Sequence, residues 1–164
     1  NVARAYSQLI SHTGNEYKIE QTGNDNFGYI DADDDSNDMD IVSNGNNNDA
    51  EIYMQGDNNV YSITQTGNDK EGEVRAFGDN SNFSINQSES GEHYAKIYAS
   101  NSADNNDASI AQTGSGDHYM RLNFYTDDYS VTASQSGTTN KSITATYNCV
   151  TNCTKTVVIN QFDQ

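Results

Sequence analysis

Three groups of side chains in this 164-residue sequence have the types and spacing to do chemistry. Carboxylates gather in Asp31-Ala-Asp-Asp-Asp-Ser-Asn-Asp38, and hard cations such as calcium take clustered oxygen ligands. The Gly-Gly-x-Gly-x-Asp nonapeptide of calcium-binding β-rolls is absent. The run therefore reads as a solvated acidic turn, with at most weak binding of divalent cations. Cys149 and Cys153 are the only cysteines. In an oxidising compartment they are expected to pair across a turn, a free pair being the alternative. One such pair cannot supply the four ligands of structural zinc. His12, His93 and His118 fall in separate segments, without Ser-His-Asp or HExxH context. They read as solvated or turn histidines. No catalytic residue, cofactor site or metal site is expected.

The remaining chemistry belongs to amides. Gln21, Gln65, Gln87, Gln112 and Gln135 recur at or near multiples of twenty-two residues, and Asn26, Asn37, Asn48 and Asn59 follow at steps of eleven. A primary amide both donates and accepts. Stacked at equal heights, amides can hydrogen-bond to one another along a common axis. Stacking requires a scaffold that repeats, and the apolar residues describe one. Ile19, Ile30, Ile41, Ile52, Ile63, Val74 and Ile85 are evenly spaced by eleven, and Ile97, Ile110, Leu122, Ala133 and Ile143 continue at ten to thirteen. Around each of them polarity alternates with period two, the strand signature.

Two arcs alternate. One kind runs Tyr17 to Asn26, Met39 to Asn48, Tyr61 to Lys70 and onward from Phe83; the other starts at Gly28, Ala50 and Gly72. Residues before the ladder position are large in the first kind (Tyr17, Met39, Tyr61, Phe83) and small in the second (Gly28, Ala50, Gly72, Ala95). Large opposite small is how two close sheets interdigitate. Gly23, Gly45, Gly56, Gly67 and Gly78, and later Gly114 and Gly137, stand where the chain must bend, a place that can demand positive φ. The expected fold is all-β: a single-domain β-solenoid over residues 1–164, with two facing parallel sheets, amyloid-like, in about seven two-strand rungs of 22 residues. Residues 1–16 form a divergent first arc, 17–87 the most regular repeats, and 88–164 looser repeats with longer turns.

Composition agrees. Only 33% of residues are hydrophobic, yet they sit at fixed addresses. Proline, excluded from central strands, is absent. The net charge of -16 with only 8 Lys and Arg argues against nucleic acid and anionic membrane surfaces as partners. No apolar run approaches the roughly 18 residues of a membrane span. The chain starts at Asn1, as a processed mature form would.

The phrase Ser62-Ile63-Thr64-Gln65-Thr66-Gly67-Asn68 resembles the curlin repeat, and Ser109-Ile110-Ala111-Gln112-Thr113-Gly114 restates it. The resemblance covers most of residues 17–137. It departs from the pattern at Ala32, Met54 and Ala76, where a second Gln would stand, and in its cysteines and its Asp content. It also lacks a Gly-rich N-terminal stretch. Curlin repeats imply a secreted subunit of a curli-like functional amyloid, built end to end on the surface of a Gram-negative-type bacterium. They also imply an outer-membrane secretion channel and a nucleator subunit as partners, with self as the main partner. Whether this chain would be the major subunit or the minor nucleator stays open. So does a second function, a monomeric secreted solenoid acting as adhesin or ligand-binding module.

Overall fold

The computed structural model describes residues 1–6, 14–33, 35–100, 105–125, 127–149 and 155–163. Every regular element among them is a strand. One sheet holds β1 (Ala3–Tyr6), β3 (Gly28–Ala32), β5 (Ala50–Gln55), β7 (Glu71–Phe77), β9 (His93–Ala99), β11 (His118–Phe124) and β13 (Lys141–Tyr147). The other holds β2 (Glu16–Glu20), β4 (Asp38–Val42), β6 (Val60–Ile63), β8 (Asn82–Asn86), β10 (Asn106–Ala111), β12 (Tyr129–Ser134) and β14 (Lys155–Asn160). Each strand pairs in parallel with the strands two before and two after it, and the end strands β1, β2, β13 and β14 with one partner only. The chain is thus a β-solenoid of two facing seven-stranded parallel sheets, two strands per rung.

Register follows the repeat. Ile19 pairs with Ile41, Ile41 with Ile63, Ile63 with Ile85 and Ile85 with Ile110 in one sheet. Ile30 pairs with Ile52, Ile52 with Val74 and Val74 with Ile97 in the other. A slip of one residue would turn every one of these side chains outward. The two columns form one continuous buried core, in which each fully buried Ile contributes about 1.5–3 kcal/mol.

Three expectations are corrected. Ile143 does not continue the ladder: it pairs with Met120, while Ala145 pairs with Leu122 and takes the ladder position. The lengthened turns had shifted the count by two. The small residues Gly28 and Gly72 lie against the isoleucine ladder itself. A Cβ on Gly28 would stand 2.8 Å from Ile41 Cγ2, and one on Gly72 3.2 Å from Ile85 Cγ2. Across the bend, a Gly thus opposes the Ile two places on rather than the large residue at the equivalent place. Late in the chain the volumes exchange: Met120 enters the small-residue column as Ala133 enters the Ile column. The third correction concerns the bends. Gly23, Gly45, Gly67, Gly78, Gly114 and Gly137 do not adopt positive φ, whereas Gly56 does (125°); after Gly23, Gly45, Gly67 and Gly114 the left-handed residue is the next one, Asn24 (φ 68°), Asn46 (83°), Asn68 (80°) or Ser115 (62°), and after Gly137 it is Thr139 (70°). Asn tolerates that region because its amide bonds locally.

Candidate functional site

The candidate site is the set of columns that stacking creates. Three run along the axis, each held at strand ends by the parallel register.

The glutamine column is the most regular. Gln65 Nε2 donates to Gln87 Oε1 at 2.9 Å, Gln87 to Gln112 at 2.8 Å, Gln112 to Gln135 at 2.8 Å, and Gln135 to Gln161 at 3.3 Å. The second amide hydrogen goes to a backbone carbonyl of the facing sheet side: Gln65 to Glu71 O, Gln87 to Tyr94 O, Gln112 to Tyr119 O. All donors point the same way along the axis. Among the described residues the column is broken once. Ser43 stands where a Gln would bridge Gln21 and Gln65; its buried hydroxyl, and both polar atoms of the Gln21 amide, have no partner.

Two asparagine columns fill the corners. At one, the backbone N–H of Asn15 donates to Asn37 Oδ1, Asn37 to Asn59 Oδ1, Asn59 to Ser81 Oγ and Ser81 to Asn106 Oδ1. Each side chain thus satisfies a bend N–H of the neighbouring rung, which strand pairing leaves open. At the opposite corner Asn26 and Asn48 meet amide to amide at 3.1 Å. The turn itself is tied likewise, with Asn24 N–H on Asn46 Oδ1 at 2.5 Å and Asn46 N–H on Asn68 Oδ1 at 2.6 Å. Of the bend glycines, Gly45 and Gly67 donate to Thr22 O and Asn44 O, both at 2.9 Å. A Cβ at Gly23, Gly45, Gly67, Gly114 or Gly137 would meet only ordinary contacts. Gly78 differs, since its Cβ would fall 2.0 Å from Gly56 O.

The continuation of the second asparagine column was not legible in the sequence. Past Asn48 the same corner carries Lys70, His93, His118 and Lys141. His93 and His118 are therefore not solvated turn residues: both are buried, and their rings stack at 4.8 Å with 1° between planes. His12 lies outside the described residues. The signal available in the sequence was the distance to the following strand, since each stands two places before an inward small or apolar residue.

On the outer face of the first sheet, aromatic rings form a row: Tyr53 to Phe77 at 5.3 Å, Phe77 to Tyr98 at 5.9 Å and Tyr98 to Tyr125 at 5.7 Å. Tyr29 meets Tyr6 at 5.7 Å. Beside the row, Glu73 lies between Arg75 and Lys96, which hold its carboxyl below its usual range against the effect of burial. Asp49, by contrast, is pushed up to about 6 by burial and by Glu71, Glu51 and Glu73 nearby.

Among the described residues no group of three or more His, Cys, Asp or Glu side chains is placed to hold a metal ion. The acidic run is described except for residue 34. Its Asp35 works as a backbone tie, accepting from Asp57 N–H at 2.7 Å, as Asp57 accepts from Asp79 N–H. Cys149 is disulfide-bonded; Cys153, the other cysteine of the chain, lies outside the described residues.

No family model, no curated protein and no solved structure matches this chain.

Proposed function

We propose that the chain is a secreted structural subunit that assembles head to tail into curli-like amyloid fibres of a biofilm matrix. The observation that carries this reading is the parallel, in-register stacking of like side chains, Ile on Ile and Gln on Gln, rung upon rung. Such a stack has no internal reason to stop. A further rung in the same register would repeat the same hydrogen bonds, which is the principle of cross-β growth. The outermost described strand, β14, also exposes Val157, Val158 and Ile159, and open apolar edges recruit other strands. The curlin-like phrases supply the matrix context. With it come a nucleator subunit and an outer-membrane channel as partners.

Purified chain held at neutral pH is expected to form thioflavin-positive fibres with a meridional reflection near about 4.8 Å. Persistence as a monomer for days at high concentration would overturn the reading. That outcome would favour the second one, a monomeric adhesin, for which the aromatic row through Tyr53, Phe77, Tyr98 and Tyr125 is the specific observation.

A further inference from the structure

One corner of the solenoid changes chemistry half-way along. Asn26 and Asn48 occupy it in the early coils; Lys70, His93, His118 and Lys141 occupy it in the later ones. Neutral amides give way to four consecutive basic side chains, three of them nearly inaccessible: Lys70, His93 and His118 are each 1% exposed.

The hydrogen bonds fix the protonation that this packing accepts. His93 Nε2 bonds the carbonyl of Ser88, and His118 Nε2 that of Thr113. A carbonyl only accepts, so each Nε2 carries the hydrogen. Each Nδ1 is buried with no partner. In the neutral ring Nδ1 is a bare lone pair. In the protonated ring it becomes a second buried N–H that the packing leaves without a hydrogen bond, though the Gly116 carbonyl lies close to the His93 ring; around His118 such an N–H is a costlier orphan. Two protonated rings would also sit face to face. Coulomb repulsion at that separation is substantial away from bulk water.

The neighbours divide in sign. From the coil before, Lys70 presents an ammonium that donates to the carbonyls of Asn68 and Glu89 at 2.6 and 3.1 Å. From the coil after, Lys141 presents one already paired with Asp163. The carboxylates bordering the column are Asp69, Glu71, Glu92 and Asp117. Asp163 adds its charge from the far side of Lys141 and feels His118. None of these carboxylates hydrogen-bonds either imidazole among the described residues.

We propose that the His93–His118 stack is a proton-sensitive latch: neutral, it closes the corner between β9 and β11, and protonated, it opens these coils. The sign follows from the environment. Burial, and then the charges of Lys70 and His118, hold His93 below its usual range, against the Ser88 and Gly116 backbone groups that raise it. A group depressed in the fold contributes stability above its unfolded value, about 6.5 for His, and that contribution is lost as pH falls below it. The device is internal to the chain and does not depend on whether coils continue into a second molecule.

The test follows both imidazoles of the full chain by NMR from pH 8 to pH 4.5, with amide exchange measured in parallel and corrected for intrinsic rates. The His93 ring is expected to titrate below about 6.5. Amides of β9 and β11 should lose about tenfold more protection than those of β3 and β5 between pH 7.5 and pH 5.5. In His93→Asn with His118→Asn, which restores the residue type of the early coils, that difference should vanish. A His93 ring that titrates at or above 6.5, or an unchanged loss in the double variant, would overturn the proposal. Should the double variant fail to fold, the titration of the unmodified His93 ring decides alone.

Discussion

At the scale of single residues, stability rests on buried amides that are satisfied twice. Gln87 accepts from Gln65 and donates to both Gln112 and Tyr94 O. Gln87→Ala is expected to cost about 2–4 kcal/mol, because it removes packing and leaves neighbouring amides partly unpaired. Exposed Thr66→Ala should stay within about 0.5 kcal/mol; urea unfolding of the two variants checks the contrast. Asp49 works the other way. Its carboxyl moves up to about 6 from 3.8. A raised acid destabilises the fold as pH climbs through that interval and beyond. Discounted for a half-exposed site, Asp49→Asn should add about 1 kcal/mol at pH 8 and nothing at pH 3.5 in the same assay. The glutamines were legible because one residue type recurs in phase. Lys70, His93 and His118 were not, because the corner column changes type while the turns around it change length.

At the scale of elements, each strand is specified by alternation and the bend at Gly78 by a close approach. Gly78→Ala is expected to disrupt the turn after β7, since the added Cβ would strike Gly56 O at 2.0 Å. Gly45→Ala, with its nearest neighbour at 3.7 Å, should cost far less. Thermal unfolding of the pair measures the difference, which should exceed about 2 kcal/mol. Strand identity and parallel order were readable from the eleven-residue step alone. What opposes what across the core was not. Periodicity gives the height of a residue along its column but not how far the bend offsets the facing strand. That offset places Gly28 against Ile41. For the same reason the left-handed geometry expected at Gly23, Gly45 and Gly67 belongs to the asparagine that follows each, while Gly56 keeps it. Either residue reaches the left-handed region, and composition alone does not choose between them.

At the scale of the whole molecule, a formal charge of -16 is spread along a narrow stack. Bringing such bodies together is opposed by repulsion that salt screens over about 10 Å at 0.1 M. Fibre formation should therefore accelerate several-fold from 10 to 200 mM sodium chloride, followed by thioflavin fluorescence. Rates indifferent to salt would count against assembly along this axis. The overall architecture was the most legible feature of all, since a fixed period in so polar a chain leaves few folds open. The stack also has a mechanical side. Its hydrogen bonds run parallel to the axis, so under tension the coils are links in series, and a series gives way at its weakest member. Ser43 marks that member, because there the glutamine cable is cut and the Gln21 amide hangs without a hold. A filament built of such units would carry a perforation in every repeat, tearing at places its sequence has set in advance.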